Sequence, residues 1–160
     1  MLAPTLMCYN TLVRNERIRK TNRLQNFDYA SDRLYFITIC THLKHELFGR
    51  IKDGEMFLNS DGKIIHYALE QIAMLYDGIS ILSKIIMPNH VHMIIKLQNS
   101  TKSVSHIISQ FKGATSKKIG FSPWQKNFHD RIIRDEKEYK TIKHYIANNI
   151  KNWAEDMFYV

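Results

Sequence analysis

The chain has 160 residues, of which 44% are apolar, and an excess of lysine and arginine gives it a formal net charge of +8. This length suits one ordinary domain with its own core, and no apolar run reaches the roughly 20 residues that span a membrane. The first ten residues lack a basic start and a long apolar centre, so a secretion signal is not expected. The positive charge favours a polyanionic partner such as nucleic acid, although a solvated basic surface would have the same composition.

The two cysteines, Cys8 and Cys40, form no metal-binding or disulfide pattern, which makes a reducing cytoplasm the simplest compartment. Residues 1–26 are polar and basic, and we predict an N-terminal arm there that precedes a domain at 27–160. Such an arm is either a solvated tail or a segment that lies on phosphates.

The first half of the domain predicts a strand, a β-hairpin and a helix, in that order. These segments are Leu34–Cys40, the pair Leu47–Ile51 and Glu55–Leu58, and a helix that begins at Asn59–Asp61 and ends before Asp77-Gly78. The first strand is rich in β-branched and aromatic residues and is expected to be buried on both faces. The hairpin turn is predicted at Lys52-Asp53-Gly54, and Asn59-Ser60-Asp61 supplies residues that cap helices.

The second half predicts two neighbouring strands, a helix, a strand and a last helix. These segments are Ile79–Met87, His90–Leu97, Ser103–Ile119, Asn127–Ile133 and Asp135–Trp153. Only Pro88-Asn89 separates the first two strands, so they must be antiparallel neighbours. The order of elements predicts an α+β fold: a ferredoxin-like antiparallel sheet with helices packed on one face and a closing C-terminal helix.

Two histidines open the third main strand. Side chains alternate between the faces of a strand, so His90 and His92 point the same way, with Val91 opposite. Neutral neighbouring imidazoles can share one cation, which makes the pair a candidate metal site near a sheet edge that a substrate could reach. The alternative is that the two histidines lie on a polar face of the strand and bind no metal, since they would then have the same spacing. His42 and His45 lie in a predicted loop, where solvated surface is the better interpretation.

The last predicted helix places a phenol beside an amide. Its core stripe consists of Tyr139, Ile142, Ile146, Ile150 and Trp153. Tyr145 and Asn149 are four residues apart and stack on the flank of that stripe, where a side chain can reach past the sheet. A tyrosine at a core margin with a wet hydroxyl is the alternative. Tyr139, the competing nucleophile, lies on the core stripe and away from Asn149.

A tyrosine on the flank of this helix could act as a nucleophile. Its oxygen can attack a phosphodiester and form a covalent link to one DNA end, which conserves the energy of the ester for rejoining. A free phenol has a pKa of about 10 and is a weak nucleophile at neutral pH. A nearby cation would polarise the phosphate and stabilise the leaving 3′ oxygen.

The run MPNHVHMII, from Met87 to Ile95, resembles the HUH motif of the HUH-type single-tyrosine transposases. Further stretches within residues 23–156 resemble the REP-associated branch of that family, in the same order. They are Arg23-Leu24 with Asp28-Tyr29, Tyr35–Thr41, Phe111–Gly113, Trp124–Phe128, Ile132–Glu136, and Tyr145-Ile146 with Asn148-Asn149 and Trp153. A single His-x-His is common, but the ordered set is specific.

The resemblance implies that His90 and His92 bind a divalent metal and that Tyr145 forms a 5′-phosphotyrosine link. A polar side chain one turn later, here Asn149, would complete the metal site. The implied cofactor is Mg²⁺ or Mn²⁺, and imidazole ligands suit Mn²⁺ at least as well as Mg²⁺, which prefers oxygen. The family commonly has Asn-Pro where this chain has Asn149-Ile150. Since Ile150 fits the core stripe, we expect the helix to run on.

The implied substrate is a hairpin formed by a single-stranded repeat, in a prokaryotic cytoplasm and with no role for a membrane. The wider family contains subunits that exchange catalytic helices, whereas the REP-associated branch tends to be monomeric. The resemblance therefore leaves monomer and homodimer open.

Six residues are predicted to contact DNA, because basic grooves and aromatic stacking hold single strands. They are Lys112, Lys117, Lys118, Trp124, Arg131 and Arg134. Lys112 is favoured because it belongs to a matched motif. Solvated lysines and a core position for Trp124 are the alternatives.

The sequence thus predicts a metal-dependent endonuclease and strand-transferase for single-stranded DNA. A DNA-binding module that does not cleave is favoured by the basic charge and by the altered Asn149-Ile150 pair. A metallohydrolase with water as nucleophile would use His90 and His92, but no carboxylate stands at clear ligand spacing from them.

Overall fold

The structure is a computed structural model that describes residues 33–159, so the predicted arm at 1–26 and the boundary at residue 27 lie outside the described residues. The described part contains six strands and three α-helices. They are β1 (Arg33–Cys40), β2 (Gly49–Lys52), β3 (Glu55–Leu58), α1 (Ser60–Leu75), β4 (Ile79–Met87), β5 (His90–Leu97), α2 (Val104–Ile119), β6 (His129–Ile133) and α3 (Glu136–Asn148). Two short 3₁₀ turns lie at His42–Lys44 and Trp153–Glu155.

The main sheet has the strand order β4-β5-β1-β6, with every neighbouring pair antiparallel, and β2 and β3 form a separate hairpin. Both α1 and α2 therefore connect strands that run parallel to each other and are not neighbours, β1 to β4 and β5 to β6. This is the ferredoxin-like arrangement of two crossed βαβ units. The predicted fold class is confirmed.

Local signals place the elements that lead to the sheet. Lys52 pairs with Glu55, so Asp53-Gly54 is a two-residue turn, and both of its residues have positive φ, as a type I′ hairpin requires. The side chain of Asn59 accepts a hydrogen bond from Gly62 N at 2.9 Å and caps α1. A Cβ at Gly62 would lie 2.1 Å from the carbonyl oxygen of Phe48, so glycine permits this close approach.

The two faces of the sheet bury different sets of residues. Tyr35, Ile37 and Ile39 of β1 belong to the larger apolar cluster, together with buried residues of α1 and α2. Phe36 faces the opposite way and packs with Ile142 and Ile146 of α3. The prediction that the helices share one face is therefore wrong for α3. The central strands are apolar on both faces, and α3 covers the face that the two crossover helices leave open.

The third helix ends at Asn148, five residues before the predicted end at Trp153. The Asn148 side chain donates to the carbonyl of His144 at 2.9 Å, a local bond of the kind that competes with continuation of a helix. Beyond it the chain makes tight turns, and Ile150 and Trp153 pack in a third cluster with Cys40, Met87 and Phe158. The expectation that the helix runs on through Ile150 is wrong. None of the helices within residues 33–159 has the length and apolar character needed to cross a membrane.

Candidate active site and metal centre

The two histidines lie side by side on the face of the sheet that α3 covers. Their ring centroids are 4.5 Å apart, and both side chains are 0% exposed. They open β5, as predicted, but β5 is an interior strand flanked by β4 and β1. The expectation of a sheet edge open to substrate is therefore wrong, because strand pairing and the segment after α3 enclose the pair.

Hydrogen bonds at Nδ1 orient both rings and fix which nitrogen of His90 carries the proton. Asn89 donates from Nδ2 to the carbonyls of Lys44 and Phe158 at 3.1 and 2.6 Å, so its Oδ1 must be the acceptor that faces His90 Nδ1 at 2.8 Å. His92 Nδ1 lies 2.8 Å from the hydroxyl of Thr38, directly across the β1–β5 pair. His90 therefore donates from Nδ1 and keeps a lone pair on Nε2 for a ligand. The Thr38 hydroxyl can donate or accept, and it accepts from His92 Nδ1 in the tautomer whose Nε2 is open to a ligand.

Burial keeps the imidazoles neutral. It lowers the pKa of His90 to about 3, an effect that the side chain of Asn149 opposes and the charge of Lys44 reinforces. Burial also holds the pKa of His92 well below its usual range, with His90 adding to the effect. Neutral imidazole is the form that binds a metal, so both rings carry the correct protonation for ligation at physiological pH.

The helix brings the tyrosine to the histidines within one chain. Tyr145 Oη lies 3.4 Å from His92 Nε2, and the ring centroids of the two residues are 5.3 Å apart. Phe36 packs against the phenol edge to face at 6.2 Å and helps to hold it over the sheet. Tyr139, the competing nucleophile, packs against the same Phe36 cluster, where Lys143 Nζ lies 5.7 Å from the centre of its ring. The phenol of Tyr145 therefore reaches the imidazoles as the sequence predicted.

Asn149 follows α3 and turns its amide into the same site. The side chain is 2% exposed, and Nδ2 donates to Asp156 Oδ2 at 2.7 Å. Its Oδ1 is buried and has no hydrogen-bond partner among the described residues, and the same is true of His90 Nε2. Buried polar atoms are nearly always paired, so two unpaired acceptors in one site indicate that something binds between them.

Asp156 is the site residue that the sequence did not predict. Its carboxylate oxygen, together with a nitrogen of His90 and one of His92, forms a set of atoms that all lie within 4.8 Å of one another. Tyr145 Oη also donates to Asp156 Oδ2, at 3.4 Å. Asp156 stands at no ligand spacing from the histidines in the sequence, but the turns after α3 carry it back to them. No periodicity links Asp156 to the helix, so the sequence held no signal for it.

The segment that carries Asp156 also covers the histidines. The ring of Phe158 lies 4.5 Å from that of His90 and 5.9 Å from that of His92, centroid to centroid. Lys44 donates to the carbonyl of Met157 at 3.3 Å, and its Nζ lies 5.6 Å from the centre of the Phe158 ring. The walls of the site are thus β1, β5, α3 and the residues from Trp153 to Phe158.

This donor set fits a divalent cation. His90 Nε2 and Asn149 Oδ1 are buried and unpaired among the described residues, and His92 and the Asp156 carboxylate lie in the same site. Nitrogen and oxygen ligands together suit Mn²⁺, and the oxygens also suit Mg²⁺.

Comparison with known proteins decides the family. The family model described as Transposase IS200 like matches residues 35–149, which is more than half of the chain and includes both histidines, Tyr145 and Asn149. This chain belongs to the IS200-like transposases. Membership assigns it a transposition-related function on DNA.

One relative and two solved structures were also found to be similar to this chain. An uncharacterized protein of Haemophilus influenzae is 34% identical over 89% of this chain and 93% of its own length. A solved structure of a REP-associated tyrosine transposase bound to a REP hairpin has a TM-score of 0.65 at 18% identity, covering 86% of this chain and 76% of that one. A putative transposase from Deinococcus radiodurans R1 has a TM-score of 0.51 at 16% identity, covering 79% of this chain and 95% of that one. These two structures show that the chain shares its fold with both transposases.

Two of the predicted DNA contacts of this transposase have structural roles. Trp124 is 4% exposed, packs against Phe48 and Phe111, and donates from Nε1 to Thr115 at 2.9 Å. A base cannot stack on a buried ring, so the predicted stacking role of Trp124 is wrong. Lys112 Nζ donates to the carbonyls of Gln125 and Lys126 at 2.6 and 3.0 Å, which holds this loop against α2. Its contact with DNA stays a prediction.

The other four predicted contacts lie in different places. Lys117 and Lys118 are exposed on α2, the layer opposite the histidines, and Lys118 lies over the ring of Tyr67 at 4.9 Å. Arg131 forms an ion pair with Glu138 on the site face, and the side chain of Arg134 is exposed at the entry to α3. Of these four, Arg131 and Arg134 adjoin the helix that carries Tyr145. All four stay predictions as DNA contacts. His42 and His45 are exposed, in agreement with their interpretation as surface.

Proposed function

We propose that this chain is a metal-dependent single-stranded DNA endonuclease and strand-transferase in which Tyr145 is the nucleophile. The observation that carries the proposal is the position of Tyr145 Oη, 3.4 Å from His92 Nε2 and beside two unpaired buried ligand atoms. Family membership supports a reaction on DNA.

The chain's own residues define the reaction. Tyr145 Oη attacks the phosphorus of a phosphodiester, and the bond between phosphorus and the 3′ oxygen breaks. The products are a 5′-phosphotyrosine and a free 3′ hydroxyl, which takes up a proton as the phenol loses one. The reverse attack by a 3′ hydroxyl rejoins DNA without ATP, because the phosphotyrosine keeps the energy of the ester.

The remaining side chains hold the reacting groups. His90, His92 and Asn149 would bind the cation, and Asp156 accepts a hydrogen bond from the Tyr145 hydroxyl. The cation, Mg²⁺ or Mn²⁺, would supply positive charge at the phosphate and at the leaving oxygen. The proposed substrate is a hairpin formed by a single-stranded repeat, which the net charge of +8 and the structurally similar transposase bound to a REP hairpin support.

A covalent adduct tests the proposal. The protein is incubated with Mn²⁺ and a circular single-stranded phage DNA, which offers many hairpins, and is then analysed on denaturing gels. We expect a protein–DNA adduct whose nuclease-trimmed peptide carries a nucleotide on Tyr145. Tyr145→Phe should abolish the adduct, and Tyr139→Phe, the matched control on the same helix, should retain it. An adduct that persists in Tyr145→Phe would refute the assignment.

The same gels separate the other functions. Free 5′ phosphates without an adduct would indicate hydrolysis by water at the histidines. Hairpin binding with no cleavage in Mg²⁺ or Mn²⁺ would indicate a DNA-binding module. Binding to an oligonucleotide hairpin, compared with a scrambled sequence of equal length, tests the preference for hairpins.

A further inference from the structure

We infer that Asp156 is a positioning residue for the metal site, whose carboxylate turns the amide of Asn149 so that Oδ1 faces the imidazoles. This inference rests on the proposed function in taking His90, His92 and Asn149 as metal ligands. It gives a role to a residue eleven positions beyond Tyr145, in the turns after the helix.

The chemistry of the two side chains fixes the orientation. An ionised carboxylate only accepts hydrogen bonds, whereas an amide has a donor end and an acceptor end. Asn149 Nδ2 lies 2.7 Å from Asp156 Oδ2, and a half-turn of the amide would bring two oxygens together there. Asp156 therefore selects the rotamer that leaves Asn149 Oδ1 free for a cation.

The oxygen of the Asn149 amide lies beside the proposed metal ligand His90. Asn149 Oδ1 is buried and unpaired among the described residues, and the Asn149 side chain interacts with His90, whose Nε2 is also unpaired. An unpaired buried acceptor costs free energy unless a cation or a donor satisfies it. The same carboxylate that creates this unpaired acceptor thus prepares it for a metal.

Asp156 is itself held in place by the main chain of its own segment. Its Oδ1 accepts from Phe158 N at 2.8 Å, and the carbonyl of Phe158 accepts from Asn89 at 2.6 Å. Asn89 in turn orients His90 through its Oδ1. One continuous chain of hydrogen bonds, from His90 through Asn89, Phe158 and Asp156 to Asn149, therefore sets two ligand orientations together.

Mn²⁺ affinity measured without DNA tests the inference. The free Mn²⁺ signal in electron paramagnetic resonance is followed during titration of the whole chain and of its variants. Three of them are the single variants Asp156→Ala, Asn149→Ala and Asn149→Asp. A fourth combines Asp156→Ala with Asn149→Ala, and a fifth, added to these four, combines Asp156→Ala with Asn149→Asp. Glu155→Gln, an exposed neighbour with the same loss of charge, is the matched control and should bind as the wild type does.

A positioning role predicts a specific pattern of affinities. Asp156→Ala should weaken Mn²⁺ binding at least about tenfold, as loss of a group that orients a ligand does. In the Asn149→Ala background the same change should have no further effect, since no amide remains to be oriented. In the Asn149→Asp background it should also cause no loss, because the two carboxylate oxygens are equivalent and need no selection.

Three results would overturn the inference. A further loss in the Asn149→Ala background would make Asp156 a direct ligand, unchanged binding by Asp156→Ala would leave it no role, and a wild type that binds no Mn²⁺ would remove the site. If Asp156→Ala does not show a cooperative thermal transition, Asp156→Asn replaces it, with an affinity expected between those of wild type and alanine. Because no DNA is present, the result is independent of whether Tyr145 forms an adduct.

Discussion

The two faces of the sheet are built on the same strands but serve different purposes. On the α1–α2 face, Val91, Met93 and Ile95 of β5 pack among aliphatic and aromatic side chains. On the α3 face, the alternate residues of the same strand begin with His90 and His92, which are equally buried but are surrounded by hydrogen-bonding groups. The period of two along a strand thus separates a stabilising core from a chemical site by a single residue. Substitutions of neighbours on β5 should therefore have different kinds of effect.

The largest effect is expected from His92→Ala on the α3 face. Loss of a proposed metal ligand should remove several kcal/mol of transition-state stabilisation, so the rate of adduct formation should fall roughly 1,000-fold or more. The measurement is the time course of adduct formation at fixed Mn²⁺, with circular dichroism to verify folding. A His92→Ala protein that forms adducts at the rate of the wild type would show that the α3 face does not hold the metal.

The next effect is expected from Met93→Ala, one residue along β5 and on the other face. Met93 is fully buried, and truncation of such a side chain costs about 2–5 kcal/mol of the free energy of unfolding through lost burial and a cavity. Urea denaturation measures this loss. Mn²⁺ affinity per folded molecule should stay unchanged, and a fall comparable to that of His92→Ala would contradict the separation of the two faces.

A smaller effect is expected from acid, which should lower the free energy of unfolding through His90 on the α3 face. The folded-state pKa of His90 is about 3 against an ordinary value of 6.5, so the unfolded chain binds more protons at intermediate pH and stability falls as the pH drops below 6.5. Between pH 7 and pH 5 this one residue should account for about 2 kcal/mol of the free energy of unfolding. Denaturation in chelator at both pH values checks it. His90→Asn should reduce the pH dependence, and an unchanged slope would contradict the assignment.

The smallest effect is expected from Thr38→Val, which keeps the shape of the side chain but removes the hydroxyl beside His92 Nδ1. When a cation is bound at Nε2, Nδ1 of His92 must carry the proton, and the Thr38 hydroxyl is the acceptor for it. Without that acceptor Mn²⁺ affinity should fall about tenfold. Titration of Mn²⁺ measures it. Thr41→Val is the matched control on the same stretch of chain, since the Thr41 hydroxyl donates to the carbonyls of His45 and Asn89 and touches neither ring.

The parts of the site that follow from periodicity could be predicted from the sequence. Period two put His90 and His92 on one face, and helical spacing put Tyr145 on the flank of α3 rather than on its core stripe. The ferredoxin-like order followed from the order of strands and helices. The two face assignments need only the residues of one element at a time, and the fold needs only the order of the elements, which is why these inferences agree with the structure.

The parts that depend on contacts between distant segments could not be predicted. Asp156 reaches the site only because α3 ends at Asn148 and the chain turns back, and the fit of Ile150 to the core stripe pointed to a longer helix. Trp124 belonged to a matched motif but is a core residue, and a basic flank does not reveal that tertiary packing buries the ring beside it. The third helix was assigned to the wrong face because one strand pattern cannot tell which helices cover which side.

The pairing of Thr38 with His92 and of Cys40 with His90 ties the chemistry to the alignment of two strands. If β1 slipped by one residue against β5, Ile37 or Ile39 would stand opposite His92, and every side chain of β1 would change faces. A single-residue deletion within β1 should consequently take the Thr38 hydroxyl away from His92 Nδ1, even though it removes none of the proposed ligands. The main-chain hydrogen bonds between β1 and β5 thereby determine which side chain of β1 faces Nδ1 of His92.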